Sequence, residues 1–318
     1  LLRGNDPEHA ALEEEAARFF GSEAALYFSS GFSANAALFA TLPQRGDVVV
    51  HDALVHASVH DGLRLAKADV VSAPHNDALA FADAIQQWRN GGGVGRPWLA
   101  VESLYSMEGD FAPLDDLMAV AERHDGVLVI DEAHATGLLG PQGKGLAAHL
   151  EGRANVVTLH TCGKALGAMG GLICGPRVLI DFLVNRCRPF IYSTAPSPLM
   201  AASVRAALRL CAGDETPDGA KRRPKHGSLV SQTGALLHDR CGITPTGTHI
   251  QPVMIGSDER AVGLAKRLKA RGFDIRAIRP PTVPEGTARL RMSLTLNVDE
   301  EVVGELVDAL AFELEQVR

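Results

Sequence analysis

The chain has 318 residues, of which 46% are apolar and 22% are charged, and its formal net charge is −7 at pH 7. This balance is typical of a globular protein with a large core, and it argues against a disordered chain or a basic surface that binds nucleic acid. No apolar run approaches the ~20 residues that a membrane-spanning helix needs. The length allows one large domain with a smaller one attached, or two domains.

The cysteines and the first residues bear on the compartment and on the extent of the chain. The five cysteines are few and odd in number, and no two of them have the spacing of a metal site. This pattern, without a signal peptide, favours a reducing cytoplasm over secretion. The chain begins Leu1-Leu2-Arg3-Gly4-Asn5 rather than with Met, so we expect a further segment before it.

The first part of the chain predicts a helix, a strand and a second helix. Asp6 is suited to cap the first helix, because the apolar residues after it keep helical spacing. Residues 24–28, Ala-Ala-Leu-Tyr-Phe, predict a short strand. The strand leads into a turn of small residues at Ser30, Gly31 and Phe32, where the next helix begins. Free backbone N–H groups at such a helix start could hold a phosphate.

Further short β-rich runs follow, with helical stretches between most of them. They are residues 48–50, 69–71, 98–101, 127–130 and 156–159. Strands that alternate with helices predict a parallel sheet covered on both faces. A ligand of such a sheet lies outside the carboxyl ends of the strands. The predicted fold class is therefore α/β, with a mostly parallel central sheet.

The composition of the sequence changes near residue 212. Residues 212–227 are rich in Gly, Pro and charge, which indicates either a domain boundary or a mobile surface loop. From Ile250 onward the predicted order is strand, helix, strand, a Pro-rich turn, strand and a final helix. We therefore predict a large cofactor-binding domain over residues 1–211 and a small C-terminal α+β domain over residues 212–318.

Asp131 and Lys164 are the residues with the clearest chemical meaning. Asp131 ends the apolar run 127–130, and Lys164 lies just past the run 156–159, so both are expected at the same edge of the sheet. Pyridoxal 5'-phosphate (PLP) requires such a pair. The lysine forms a Schiff base with the cofactor aldehyde, and the carboxylate keeps the ring nitrogen protonated. The glycines around Lys164 also predict a partly desolvated amine with a lowered pKa.

Other polar residues extend this interpretation. Thr161 is placed to bond the cofactor phosphate, and the flat ring of His56 is suited to stack on the cofactor. Arg279 lies in a proline-rich turn and could bind a carboxylate with two parallel hydrogen bonds. His51, His56 and His60 are closely spaced, but no further ligand with convincing spacing follows them, so we predict no metal site.

A different class of protein remains open for the sequence Asp131-Glu132-Ala133-His134. The same four residues occur in nucleic-acid-dependent ATPases, which also need a phosphate loop of the form G-x-x-x-x-G-K-[ST]. Residues 140–144 lack the spacing and the final hydroxyl of that loop, and Lys164 is followed by Ala165. There is no basic surface signal either, so we predict that no nucleic acid binds and keep the ATPase as an alternative.

Together these motifs resemble the α-oxoamine synthases, a family of PLP-dependent transferases with the aspartate-aminotransferase-like fold, also called fold type I. The resemblance covers nearly the whole chain, and several motifs occur in one order. The stretches that carry it are 30–32, 56–58, 102–110, 131–137, 161–164, 191–194, 249–252 and 278–291.

The resemblance implies a role for each matching residue. Lys164 matches the Schiff-base lysine that also moves the α-proton, Asp131 matches the partner of the ring nitrogen, and His56 matches the stacking ring. His134 and Ser106 match groups near the phenolic oxygen of the cofactor. The remaining cofactor contacts, which lie at the phosphate end, are assigned to Ser30, Gly31, Phe32 and Thr161.

The resemblance also implies a homodimer with shared active sites. Ser193 and Thr194 are similar to residues that reach the phosphate bound by the neighbouring subunit. Arg279 matches the clamp for the carboxylate of the amino acid substrate, and Thr282 is assigned to the same substrate.

The reaction that the resemblance implies joins an amino acid to an acyl thioester with release of CO2. Residues 249–252 and 278–291 are most similar to the members that use L-alanine and a pimeloyl thioester in biotin synthesis. Glycine C-acetyltransferase and 5-aminolevulinate synthase chemistry remain the sibling alternatives. Family members carry more residues before the segment 3–5, and those residues contribute to the acyl-thioester entrance.

Overall fold

The computed structural model describes residues 4–213 and 217–316, and for residues 217–220 it describes the backbone only. These residues divide into two compact units. The first contains residues 4–105 and 111–213, and the second contains residues 106–110 and 217–316. Each unit has a sheet of its own. Within the described ranges, no helix is both long and apolar enough to cross a membrane.

The described part of the first unit contains seven strands and eight helices. The strands are β1 Ala24–Phe28, β2 Val48–Asp52, β3 Asp69–Ala73, β4 Pro97–Glu102, β5 Val127–Asp131, β6 Val156–Thr161 and β7 Gly171–Gly175. The helices are α1 Pro7–Phe20, α2 Gly31–Thr41, α3 Ala57–Arg64, α4 Ala78–Asn90, α5 Leu114–Arg123, α6 Arg177–Arg186, α7 Arg188–Ile191 and α8 Pro198–Ala212. Two short 3₁₀ turns, Pro141–Gly143 and Leu146–His149, follow β5.

The seven strands form one sheet in the order β1-β7-β6-β5-β4-β2-β3. The strands β3, β2, β4, β5 and β6 run parallel, and β7 runs antiparallel to both β6 and β1. The prediction of a mostly parallel α/β sheet is therefore confirmed. Strand β7 was missed, because glycines at both of its ends interrupt the β-rich pattern of Leu172, Ile173 and Cys174.

All strands except the edge strand β3 are buried along their whole length, which is why most of them are rich in apolar residues. Side chains of one strand point alternately to the two faces. In β5, Val129 packs in the core on the α2 and α3 side, whereas Leu128 and Ile130 pack in the core on the α4 and α5 side. This alternation fixes the register of β5 against its neighbours, because a slip by one residue would move each side chain to the opposite face of the sheet. The register in turn fixes where the strand ends.

The second unit combines a three-stranded antiparallel sheet with helices, and from Ile250 onward its elements follow the predicted order of strand, helix, strand, strand and final helix. Its strands are β8 Ile250–Gly256, β9 Arg276–Ile278 and β10 Ala288–Ser293, in the order β8-β10-β9. Its helices are α9 Pro217–Cys241, α10 Asp258–Ala270 and α11 Glu300–Glu315. The segment 106–110 groups with this unit, because Arg289 of β10 donates to the carboxylate of Glu108 at 2.9 Å and Arg291 donates to the carbonyl of Ser106 at 2.6 Å.

Residues 212–227 were expected to be either a domain boundary or a mobile surface loop. The division between the two units falls within this stretch, and the loop alternative is wrong for its second part. Residues 217–227 belong to α9, which continues through Pro224, and residues 214–216 lie outside the described residues. Proline inside a helix costs about 3 kcal/mol. That cost is offset by burial farther along α9, where Leu229, Val230 and Leu237 pack in the core of the second unit.

A close contact between α2 and α3 generates the first prediction. A Cβ atom on Gly62 of α3 would lie 2.8 Å from the carbonyl oxygen of Ala36 and 2.9 Å from the Cβ atom of Phe39. Gly62→Ala is therefore expected to push the helices apart and to lower the free energy of unfolding by about 1–3 kcal/mol. Both tryptophans, Trp88 and Trp98, lie in the first unit, so urea unfolding followed by tryptophan fluorescence measures the effect.

Gly91→Ala is the matched control. Gly91 has an ordinary φ of −77°, and its Cβ atom would meet its nearest neighbour at 3.4 Å. We expect the free energy of unfolding of this variant to lie within about 1 kcal/mol of that of the unchanged protein. Equal unfolding free energies for the Gly62 and Gly91 variants would contradict the account of helix packing.

Candidate active site

The carboxyl ends of β4, β5 and β6 open into a cleft of the first unit. Seven residues that were predicted as site residues lie in its lining. They are Gly31, Phe32, His56, Asp131, His134, Thr161 and Lys164. Asn35, Ser58, Glu102, Ala133 and Leu159 complete the lining. The expected meeting of Asp131 and Lys164 at one edge of the sheet is thus present in the structure.

Asp131 is held in place by two hydrogen bonds. Its Oδ2 atom accepts from the Nδ2 amide of Asn35 at 2.6 Å, and its Oδ1 atom accepts from the backbone N–H of Ala133 at 2.9 Å. The side chain is nearly buried. Neither donor is a charged group, and the two bonds fix the orientation of the carboxyl group in the cleft.

Asn35 and Ser58 are functional residues that the sequence interpretation missed. Asn35 is almost fully buried, and its amide donates both to Asp131 and to the hydroxyl of Ser58, the latter at 3.1 Å. A signal was present, because Asn35 lies four residues after Gly31 and therefore on the same face of α2. Ser58 belongs to the stretch 56–58, in which the sequence predicted a role only for His56.

His56 forms one wall of the cleft. It caps α3, where its Nδ1 atom accepts the backbone N–H of Ser58 at 3.2 Å and lies 2.8 Å from the Ser58 hydroxyl. Burial lowers the pKa of His56, the carboxylate of Asp131 raises it, and the amine of Lys164 lowers it, with a net decrease. The lowered pKa favours the neutral ring near pH 7, and the flat ring is suited to stack on an aromatic ligand.

Lys164 and His134 meet at the open side of the cleft. The Nζ atom of Lys164 lies 2.8 Å from the Nε2 atom of His134. Lys164 itself is exposed. The partial desolvation expected for its amine stays a prediction, because the exposure of the whole residue does not fix the solvation of the Nζ atom beside the His134 ring.

Glu132 has a structural role, although it lies between two residues that line the cleft. Its carboxylate is fully buried and accepts from the Ser103 hydroxyl at 2.7 Å and from the backbone N–H groups of Leu146 and Ala147. Burial raises its pKa. Glu132 thus anchors the segment after β5, and this anchor orients the turn that bears His134.

Two glycines build a cradle at the other end of the cleft. A Cβ atom on Gly31 would lie 3.0 Å from the Oγ1 atom of Thr161, and one on Gly171 would lie 2.7 Å from the Cα atom of Gly31. The N-terminus of α2 therefore packs closely against the ends of β6 and β7. Ser30 caps this helix by accepting the N–H of Ser33 at 3.0 Å. Its hydroxyl orients the cradle instead of lining the cleft.

The remaining predicted residues lie elsewhere in the described chain. Ser193 and Thr194 are exposed in the segment between α7 and α8, outside the lining of the cleft. Ser106 belongs to the second unit and is half-buried. Arg279 and Thr282 are exposed in one turn of the second unit, where the N–H of Thr282 donates to the carbonyl of Arg279 at 3.0 Å.

Two of the three closely spaced histidines, His51 and His60, lie next to each other in the structure. The rings of His51 and His60 are 5.0 Å apart between centroids and nearly perpendicular. Over the described residues, no group of three or more His, Cys, Asp or Glu side chains is placed to hold a metal ion.

The groups that line the cleft fit PLP in their chemistry. Backbone N–H groups at a helix start beside a threonine hydroxyl suit a phosphate. The neutral ring of His56 suits an aromatic face, and the carboxylate of Asp131 suits a protonated ring nitrogen. Lys164 supplies an amine at the open side. The cradle depends on Gly31, because any larger side chain would fill the space beside Thr161.

The chain belongs to the aminotransferase class I and II family, whose sequence model matches residues 2–310. It is 43% identical over 312 residues to 8-amino-7-oxononanoate synthase from Chromobacterium violaceum, with 98% of this chain and 79% of the relative covered. It is 40% identical to the enzyme of the same name from Geobacter sulfurreducens, with 98% of this chain and 78% of the relative covered.

A solved structure is similar over almost the whole chain. A serine palmitoyltransferase variant from S. paucimobilis, with a bound PLP–myriocin aldimine, matches with a TM-score of 0.89 at 25% identity, covering 99% of this chain and 78% of that chain. The predicted resemblance to PLP-dependent α-oxoamine synthases and the predicted aminotransferase-like fold are confirmed. The ATPase alternative for Asp131-Glu132-Ala133-His134 is thereby set aside.

The environment of His56 generates the second prediction. The pKa of its ring is expected below the ordinary value of about 6.5, because burial opposes the charged form. Asp131→Asn should lower that pKa further, and Lys164→Ala should raise it. Ring-proton NMR titration measures all three proteins.

The same shift makes stability depend on pH. The unfolded chain binds a proton at His56 more readily than the folded chain, so this residue lowers the free energy of unfolding as pH falls below about 6.5. A His56 ring that titrates at or above the ordinary value, or that moves in the same direction in both variants, would contradict the described geometry.

Proposed function

We propose that the protein catalyses the PLP-dependent decarboxylative condensation of L-alanine with a pimeloyl thioester. The products are 8-amino-7-oxononanoate, CO2 and the free thiol, and the reaction belongs to biotin synthesis. The observation that carries the proposal is the cleft that Asp131 and Lys164 share, in a chain with 40–43% identity to relatives named for this activity. The sibling reactions with glycine are the alternative.

PLP, when bound, supplies an aldehyde that bonds covalently to amines and a ring that takes up electrons from the substrate α-carbon. Its phosphate would lie at the N-terminus of α2, where the backbone N–H groups of Gly31 and Phe32 and the hydroxyl of Thr161 converge. The helix dipole adds favourable potential for an anion there. Ser30 supports this end of the site by capping the helix.

Asp131 would hold a proton on the ring nitrogen of PLP. The bonds from Asn35 and Ala133 fix both of its oxygen atoms, so the carboxylate would need no reorientation to do so. Preorganised electrostatic partners of this kind commonly contribute the largest share of a rate enhancement. Asp131 is therefore assigned to catalysis rather than to binding.

Lys164 is the nucleophilic amine and the group that removes and returns the α-proton. Its Nζ atom must be unprotonated to do either. The Nε2 atom of His134, 2.8 Å away, is within reach to exchange a proton with it. His134 is further assigned to the phenolic oxygen of the cofactor, and the ring of His56 would exclude water from one face.

One part of the substrate binding, that of the amino acid carboxylate, is assigned to residues of the second unit. Arg279 is proposed to bind the carboxylate of the amino acid, for which its exposed, forked guanidinium is suited, and Thr282 lies in the same turn. Holding the amino acid and the acyl thioester on one cofactor face would supply much of the rate advantage, because it replaces an encounter of free molecules.

Two further proposals concern the assembly and the compartment. Ser193 and Thr194 are exposed and lie outside the lining of the cleft of their own chain, which supports their assignment to the phosphate site of a partner in a homodimer. The five cysteines are all free, which supports a cytoplasmic location.

The third prediction tests the reaction itself. Product formation should be fastest with L-alanine and pimeloyl-coenzyme A, compared with glycine or serine and with short acyl thioesters. Lys164→Ala should reduce turnover below detection, because no other amine is assigned to the α-proton. Lys67→Ala, at a position away from the cleft lining, is the control and should retain full activity.

A clear preference for glycine with a short acyl donor would overturn the substrate assignment. Full activity of Lys164→Ala would instead remove Lys164 from its role.

The fourth prediction separates binding from catalysis at Asp131. Asp131→Asn should lower the rate constant of turnover by about 100-fold or more, while the dissociation constant of PLP changes far less, since the phosphate cradle is intact. Steady-state kinetics and a PLP absorbance titration give the two values. Asp83→Asn in α4, outside the cleft lining, is the control. Normal turnover in Asp131→Asn would show that the ring proton is held in another way.

A further inference from the structure

A buried phenol contacts the loop that carries Lys164. Tyr27 lies in β1 and packs in the same core as Leu12, Cys162 and Leu172. It is only 3% exposed. Its hydroxyl donates to the carbonyl oxygen of Met169 at 2.6 Å. Met169 belongs to the loop between β6 and β7, five residues after Lys164, so the phenol ties this loop to a strand on the far side of β7.

The loop is otherwise closed by three backbone hydrogen bonds. The N–H of Cys162 donates to the carbonyl of Gly170 at 2.9 Å, and the N–H of Ala168 donates to the carbonyl of Cys162 at 2.9 Å. The N–H of Gly167 donates to the carbonyl of Lys164 itself at 3.0 Å. The backbone of Lys164 is therefore part of a compact turn, and the bond from Tyr27 joins that turn to the core.

The chain passes directly over the ring of Tyr27. Gly170 has a φ of +123°, and a Cβ atom there would lie 2.2 Å from the Cε2 atom of Tyr27. Only glycine allows this approach. The next residue, Gly171, packs against the backbone of Gly31, which forms the phosphate cradle. The ring of Tyr27 therefore limits how closely the backbone at Gly170, at the end of the loop, can approach β1.

Tyr27 also lies on the strand that leads into the cradle. Its N–H donates to the carboxylate of Glu13 in α1 at 3.0 Å, which fixes β1 against that helix. Strand β1 ends at Phe28, and the cradle begins at Ser30. One side chain therefore joins the element that precedes the cradle to the loop that bears Lys164.

We propose that Tyr27 is a positioning residue that sets the place of Lys164 relative to the phosphate cradle. The inference rests on the proposed function, because it gives Lys164 the role of bonding to the PLP aldehyde. Tyr27 acts through the loop and not on the cofactor. Its effect is therefore confined to the covalent attachment of PLP, and non-covalent binding of the same ring and phosphate does not depend on it.

The phenol is a hydrogen-bond donor throughout the neutral range. Burial raises the pKa of Tyr27 to about 12. Tyr27→Phe removes this donor and keeps the ring beneath Gly170, so the variant isolates the hydrogen bond from the packing.

The test compares PLP with pyridoxamine phosphate, which has the same ring and phosphate but no aldehyde. In Tyr27→Phe, the apparent affinity for PLP should fall about 2- to 10-fold, which corresponds to the loss of one net hydrogen bond. The affinity for pyridoxamine phosphate should stay the same. In the protein without cofactor, amide hydrogen exchange at residues 164–169 should become faster.

Leu12→Ala is the matched control, because it loosens the same core and leaves the hydroxyl of Tyr27 in place. It should lower the unfolding temperature without separating the two affinities. Equal losses for both ligands in Tyr27→Phe, or no loss for either, would overturn the inference and reduce Tyr27 to a packing residue.

The failure of the proposed function has a different signature. In that case the unchanged protein and Lys164→Ala would bind PLP equally, and the inference would fall together with the function. Attachment of PLP to Lys164 with an unaltered affinity in Tyr27→Phe would overturn the inference alone.

Discussion

The parallel pairing of β5 with β6 is the constraint on which the site depends. Adjacent parallel strands end at the same edge of a sheet, so the last residue of β5, Asp131, and the last residue of β6, Thr161, open into one cleft. Lys164 follows on the next loop. If one strand ran the other way, the carboxylate and the amine would be separated by the length of a five-residue strand, about 16 Å. Apolar cores on both faces make this pairing costly to disturb.

The polar groups around that edge are of two kinds: groups that line the cleft and groups that hold the surrounding backbone in place. Asp131 receives hydrogen bonds from neutral donors and lines the cleft, whereas the neighbouring carboxylate of Glu132 lies outside the lining and anchors the following segment. Asn35 links the first kind to the wall of the cleft, because its amide bonds both Asp131 and Ser58, and the Ser58 hydroxyl lies beside His56. The orientation of the charged group and that of the flat ring are thereby coupled.

Much of the fold and of the site was predictable, for physical reasons that particular residues illustrate. Strands buried on both faces are rich in apolar residues, so the starts of β5 and β6 could be read directly, whereas β6 continues through the buried polar residues His160 and Thr161 beyond its apolar run. The hydrogen bonds of Asn35 and the exposure of Lys164 depend on how distant segments pack, which no local pattern records. Strand β7 was hidden by its terminal glycines, and α9 by Pro224, since in both cases tertiary burial outweighs local propensity.

The covalent attachment of PLP is the most direct test of the central claim that one carboxylate and one amine hold this cofactor between them. The purified protein would be incubated with PLP, reduced with borohydride to make any lysine adduct permanent, and mapped by peptide mass spectrometry. The account predicts a pyridoxyl group on Lys164, with none formed at this position in Lys164→Ala. A pyridoxyl group found only on other lysines, or no stable adduct at all, would contradict it.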